Sequence, residues 1–171
     1  DIEKNNYPPT LNGNGNINPS QNLVDAFPMA NGYPINNSLS QYDPKNPYAN
    51  RDPRLAKYIV FDGASLSVAG TIVETDVDDA ENISALNNCA GHSARTGYYM
   101  RKHLNEQVTI STTGSSNSAF HYNAFIRYTE MFLSYAEAAN EAWGPTADGG
   151  NGFSAYDVVK AIRARAGIDA A

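Results

Sequence analysis

The sequence predicts a mainly α-helical fold with irregular loops and a few short β-strands, closing in a packed helix hairpin. Three observations carry this. From residue 123 onwards, apolar residues recur at spacings of three and four, the signature of an amphipathic helix. Between residues 54 and 104 they sit instead in short β-rich runs. Proline, glycine and asparagine punctuate the rest of the chain.

Residues 1–22 read as loop, because Pro8-Pro9 and the run Asn12-Gly13-Asn14-Gly15-Asn16 are turn formers. Ser20 then precedes Gln21-Asn22-Leu23-Val24-Asp25-Ala26-Phe27, a short helix of about two turns limited by Pro28. Ala30 to Ile35 are expected to add a short strand around the Asn31-Gly32 turn. Gln41 to Leu55 form a heavily specified loop. Pro44, Pro47 and Pro53 fix their own φ and push Asp43, Asn46 and Asp52 towards extended geometry. Arg51 and Arg54 flank Asp52, so a charge-assisted fork is available to lock the loop.

Leu55, Tyr58, Val60, Leu66, Val68, Ile72 and Val73 predict two or three short antiparallel strands, broken at Asp62-Gly63 and Ala69-Gly70. Residues 76–96 read as an irregular excursion, and Thr96 to Leu104 as an ordered extended segment with one of Tyr98 and Tyr99 buried. Asn123 to Trp143 is a helix with Phe125, Tyr128, Phe132, Tyr135, Ala136, Ala139 and Trp143 on one stripe, stopped by Gly144-Pro145. Ser154 and Asp157 resemble a capping box opening a second helix whose stripe is Val158, Val159, Ile162 and Ala166, with Gly167 as its C′ residue. The two helices form a hairpin of the tetratricopeptide kind, which needs neighbours to bury both of its faces. The domain organisation expected is one region, 1–171, with a loop-rich part (1–122) and a helix hairpin (123–171).

A chain of 171 residues is long enough for one core, and its net charge of −6 is the wrong sign for a nucleic-acid partner. No apolar run reaches the roughly 20 residues that a membrane-spanning helix needs. The chain opens Asp-Ile-Glu-Lys, without a signal segment, which suggests a mature product or an excised piece. Cys89 stands alone and can form no internal disulfide. With 20 Asn, 11 Tyr and 13 Gly the surface suits neutral polar ligands, sugars above all. Tyr7, Asn12, Asn14 and Asn16 are the candidate ligand-binding residues, an aromatic platform beside amide donors and acceptors in one loop.

Metal and catalytic patterns are weak. The acidic run Glu74, Asp76, Asp78, Asp79, Glu81 lacks the glycine and the spaced bidentate Glu of a calcium loop, and Asp148-Gly149-Gly150-Asn151-Gly152 reads as a turn. Cys89 and His92 make one C-x-x-H pair where zinc needs two more ligands, and His103 and His121 do not supply them at ligand spacing. No nucleophile signature accompanies Cys89. No metal, no cofactor and no catalytic residue is expected.

Five segments together resemble the SusD/RagB family. Pro19-Ser20-Gln21-Asn22-Leu23-Val24-Asp25-Ala26-Phe27 is similar to its PTQxLVDAF element, and Gln41–Leu55 to its YDPNNPYANRDPR loop. Thr96 to Lys102 is similar to its TGYYLRK strand, Arg127 to Ala142 to its RYAEVLLNYAEAANEA helix, and Ile162 to Gly167 to its IRARAG helix. The resemblance runs from Pro19 to Ile168. It implies a mainly helical, tetratricopeptide-like binding protein without enzymatic activity. It further implies a lipid-anchored location at the outer-membrane surface of Bacteroidetes, with a role in nutrient uptake and polysaccharide utilisation. The ligand would be a glycan, or in some members a peptide, passed to a SusC-like TonB-dependent transporter. Family members are longer, with a lipoprotein signal and most of the helical scaffold upstream, so the chain resembles a central-to-C-terminal slice. The alternative reading is a helical-repeat module that binds protein partners.

Overall fold

The computed structural model describes residues 2–67, 69–76, 82–88, 92–122 and 124–168. Helix dominates the regular structure: α1 (Ile2–Asn6), a 3₁₀ turn (Pro9–Leu11), α2 (Gln21–Ala26), α3 (Pro53–Tyr58), α4 (Tyr128–Trp143) and α5 (Ala155–Ala166). Four short strands accompany it: β1 (Ile59–Val60), β2 (Ala64–Leu66), β3 (Thr71–Val73) and β4 (Tyr99–Met100). The chain divides into two compact units, residues 1–27 with 54–121 and residues 28–53 with 122–171. This is the mainly helical, loop-rich fold with short strands that the sequence predicts.

The first unit is built on two antiparallel strand pairs. β1 pairs with β4, placing Val60 opposite Tyr99, and β2 pairs with β3 in a hairpin that sets Ala64 opposite Val73. Alternation decides which side chains go inward: Ala64, Leu66 and Val73 are buried while Ser65 and Ile72 face out. With Tyr7, Val60, Ala94 and Tyr99 they form one apolar cluster, and Leu11, Phe61, Leu104 and Ile110 pack on its edge.

Several sequence expectations need correction in this unit. Residues 2–6 are helical, because Glu3 is buried and its carboxylate accepts the distant Asn105 N–H at 2.9 Å. Leu55 and Tyr58 belong to α3 and not to a strand, since Pro53 takes the first helical position, where its missing N–H is no loss. Tyr98 and Tyr99 are both buried. Tyr98 donates to Gln21 Oε1 at 2.8 Å and Tyr99 to the Ser84 carbonyl at 2.8 Å, so each hydroxyl has a partner that makes burial tolerable. Short α2 follows the prediction, with Ser20 Oγ accepting the Leu23 N–H. Val68, Asp78, Asp79, Glu81, Cys89 and Asn123 lie outside the described residues.

The second unit holds the helix hairpin. Ala136 and Ala139 of α4 meet Ala155 and Val158 of α5, with Tyr135 and Ile162 at the margin. Small side chains at the contact let the helices approach closely. The Tyr135 hydroxyl donates to the Phe153 carbonyl at 2.8 Å and its ring lies 4.7 Å from that of Phe153. α5 carries the full capping box: Ser154 Oγ accepts from Asp157 N while the Asp157 carboxylate accepts the Ser154 N–H at 2.9 Å. Its C-terminus closes with Gly167 at φ 76°, Gly167 N–H bonding Ala164 O and Ile168 N–H bonding Arg163 O. That is a Schellman arrangement, for which glycine is suited because it tolerates the left-handed conformation.

α4 starts at Tyr128, later than the sequence pattern suggests, and Phe125 is fully exposed before it. Tyr128, Phe132 and Trp143 on the expected stripe also remain exposed. One hairpin buries one seam, here the alanine seam, and leaves its aromatic flank open. The expected strand over residues 30–35 is absent. Met29 instead makes an isolated bridge to Arg51, and Ala30 N–H bonds Asn50 O at 2.8 Å.

The proline-rich loop is ordered as expected. The Asp43 carboxylate accepts the Asn46 side chain at 2.7 Å and the Lys45 N–H at 2.9 Å. Those bonds, the Asn46 one foremost, hold its carboxyl below the usual range. Arg51 is buried, donates to the Pro47 carbonyl at 2.8 Å, and lies 5.6 Å from the centre of the Tyr42 ring. Buried Asp52 is anchored through its own N–H to Pro28 O at 2.8 Å.

Candidate functional site

The Asn/Gly loop after α1 folds back across the first unit, pinned by backbone bonds. Asn14 N–H reaches Lys4 O at 2.9 Å, Gly15 N–H reaches Tyr7 O at 3.0 Å, and Asn16 N–H reaches Asn5 O at 3.0 Å. The close approach explains two of the glycines. A Cβ on Gly13 would stand 2.1 Å from Tyr7 O, and one on Gly15 would stand 2.4 Å from His92 O and 2.7 Å from the Tyr99 ring. Gly15 also has φ 57°, which penalises any side chain there.

Beside this loop lies a polar pocket of about 420 Å³, lined by Gly15, Asn16, Asn18, Ser93, Arg95 and Thr96. That volume falls in the range of small-molecule sites. Asn18 is the joint between the two walls. Its Nδ2 donates to Gly15 O and Tyr98 O, both at 3.1 Å, and its Oδ1 accepts the Arg95 N–H at 3.1 Å. The Asn18 carboxamide is therefore consumed in holding the walls together. Asn16, Arg95 and Thr96 are exposed on those walls, offering an amide donor and acceptor, a guanidinium fork and a hydroxyl.

The four residues expected at the ligand face separate. Tyr7 is only 1% exposed, a member of the core cluster. Its hydroxyl lies 2.8 Å from Asn105 O and 3.1 Å from Val108 O. Burial first, then the negative charges of Glu3 and Glu106, push its pKa up to about 12. A ring so enclosed presents no face to a sugar, and the aromatic-platform expectation is corrected: Tyr7 is the loop's anchor. Asn12 is exposed in the left-handed conformation, its Nδ2 donating to Ile110 O at 2.8 Å and its carbonyl accepting Lys4 Nζ at 2.8 Å. Asn14 is half-buried, its carbonyl 3.4 Å from His92 Nδ1. Asn16 alone of the four lines the pocket.

Asn18, Arg95 and Thr96 are the site residues that the sequence reading missed. One signal was available: asparagine at every second position from 12 continues to 18, which extends the loop's pattern by one step. Nothing local marks Arg95, which joins Asn18 only through a contact 77 residues away in sequence. Glu74 and Asp76 of the acidic run are exposed, and among the described residues no three His, Cys, Asp or Glu side chains gather as a metal site. Among the described residues, too, no helix is long and apolar enough to cross a membrane.

The second unit has an open apolar groove of about 470 Å³ along α4 and α5, lined mainly by Tyr128, Phe132, Phe153, Val158, Ala161 and Ile162. Arg165 crosses it towards Thr129, with Nη1 3.5 Å from Oγ1.

Among solved structures the chain is similar to a SusD-like carbohydrate-binding protein from Bacteroides fragilis, with 27% identity and a TM-score of 0.74 over 99% of this chain. It is also similar to a SusD-like protein from the same organism, with 27% identity and a TM-score of 0.60 over 91% of this chain. It spans 31% and 30% of those two proteins, about a third of their length. None of the curated proteins matches it. The SusD family model matches residues 1–171, a span that contains all five motifs, the strand pairs and the helix hairpin, and the chain accordingly belongs to the SusD family.

Proposed function

We propose that this chain is part of a non-catalytic surface protein that captures oligo- or polysaccharides and delivers them to a SusC-like TonB-dependent transporter. The observation that carries the reading is the polar pocket of the first unit. A sugar presents hydroxyls that both donate and accept, and Asn16 and Thr96 can answer both while Arg95 donates. The walls are held before ligand arrives by the Asn18 bridge, so little ordering is needed on binding. The carbohydrate-binding relative named above supports the same reading. Within this proposal, Asn12, Asn14 and Asn16 form the loop that shapes the site, and Tyr7 holds it from beneath.

The fold is proposed to work as one SusD-like region, with residues 1–122 carrying the ligand face and 123–171 the helix hairpin, inside a longer protein. Surface location through a lipid anchor outside this chain belongs to the same proposal. A glycan-array screen of the full-length protein, followed by affinity gels with Asn16→Ala, tests it. Capture of a glycan that weakens by about tenfold in the variant, as expected for lost hydrogen bonds to a sugar, is the supporting result. Failure to retain any carbohydrate overturns it.

A second reading, a helical-repeat module for protein partners, is favoured by the apolar groove along α4 and α5. An amphipathic helix fits such a groove. Phe132→Ser abolishing a protein complex while glycan capture persists would support this reading.

A further inference from the structure

We infer that the pocket selects sugars bearing an anionic group, a carboxylate or a sulfate ester, and that Arg95 is the residue that reads it. This rests on the glycan-binding reading and narrows it to a substrate class. Among the described residues that line the pocket, Arg95 carries the one charge, and its companions are glycine, asparagine, serine and threonine. No carboxylate in that lining competes for the guanidinium.

The backbone of Arg95 is fixed while its side chain is exposed. Its N–H is held by Asn18 Oδ1 at 3.1 Å, and Asn18 is tied in turn to Gly15 O and Tyr98 O. Arg95 therefore stands at an anchored point of a lining that it shares with Asn16 and Thr96. A planar fork of donors matches the two oxygens of a uronate or of a sulfate ester, and such charge-assisted bonds are about twice as strong as neutral ones. The neighbouring amide and hydroxyl then serve the uncharged hydroxyls of the same ring.

The chain's net charge of −6 does not oppose this. At physiological salt, charges beyond about 8 Å are largely screened, so the cation in contact decides and the distant acids do not.

The test is titration calorimetry on the full-length protein with four probes. These are an oligogalacturonate, its carboxyl-reduced neutral counterpart, a sulfated galactan oligosaccharide and its desulfated counterpart. At least one anionic probe is expected to bind about tenfold tighter than its neutral counterpart, and the tighter one names the source of the charge. R95Q is expected to erase that preference with an unchanged melt, and R95K to keep part of it, since lysine retains charge without the fork. Raising salt from about 50 mM to about 500 mM should shrink the preference in the parent and leave R95Q unaffected. Should charged and neutral probes bind alike, with R95Q weakening both equally, Arg95 is a general sugar contact. The inference then falls while the glycan reading stands. Should none of the four bind, and no glycan bind on an array, the glycan reading itself falls.

Discussion

The side-chain carbonyl of Asn18 accepts the backbone N–H of Arg95 at 3.1 Å, joining the N-terminal loop to a segment 77 residues further along the chain. With the two bonds that Asn18 Nδ2 donates to Gly15 O and Tyr98 O, one carboxamide sets both walls of the polar pocket. Asn18→Ala should lower stability by about 1–3 kcal/mol, because the backbone groups left behind are partly buried. It should also weaken glycan capture without touching ligand. Asn18→Asp keeps the acceptor for Arg95 N–H and loses the donors, so it should fall between. Thermal melts and affinity gels run on the same preparations check both effects.

Tyr7 gives a pH dependence with a definite sign. Its pKa is raised in the fold, by burial and then by Glu3 and Glu106, from 10.0 to about 12. Below pH 10 the phenol is neutral in both folded and unfolded chains, and its stabilising contribution is fully present. As pH rises from about 10 towards 12 the unfolded state ionises first and that contribution is lost, up to about 2 kcal/mol. Tyr7→Phe should be destabilised at neutral pH, since Asn105 O and Val108 O lose their donor. It should also show a shallower decline between pH 9 and 12 than the parent does. Urea melts across that range provide the comparison.

Arg51 is expected to matter for stability and not for binding. It is buried, donates to Pro47 O at 2.8 Å and stacks near Tyr42, all within the second unit. Arg51→Ala should cost about 1–3 kcal/mol through the lost bond and cation–π contact. A variant that melts normally but no longer captures glycan would reverse this assignment and make the loop a site.

The capping box at the start of α5 has its own acid signature. Bonds from the Ser154 N–H and then the Ser154 hydroxyl hold the Asp157 carboxyl below its usual value. A depressed carboxylate contributes stability above its unfolded pKa and loses it as pH falls through the folded value, so the effect is confined to acid below about pH 4. Ser154→Ala should destabilise by about 1 kcal/mol at neutral pH, and this difference from the parent should shrink in acid. Circular dichroism melts at pH 7 and near pH 2.5 measure it.

Much of the fold is legible in the sequence wherever local chemistry suffices. Ser154, Asp157 and Gly167 specify the ends of α5 through bonds made within a few residues. The β-rich runs around Leu66 and around Ile72 and Val73, broken at Ala69-Gly70, specify the strand hairpin, and Asp43 with Asn46 closes its own turn. Where a residue's fate depends on a distant partner, the pattern misleads. Tyr7 reads as a surface aromatic because its neighbours in sequence are polar, yet it is buried by Val60, Leu66 and Tyr99, which arrive from elsewhere. Phe132 and Trp143 read as core because their spacing is helical, yet both are exposed where the hairpin's aromatic flank stays open.

By itself, then, the sequence determined the helix hairpin, its caps, the ordered proline loop and the family, because capping, turn geometry and hydrophobic period act over a handful of residues. Only the tertiary structure decided the pocket. Arg95 and Thr96 meet Asn16 because Asn18 bridges two segments that are also tied by the Met100 N–H to Ile17 O bond at 3.1 Å, and no local rule records a hydrogen bond that spans nearly half the chain.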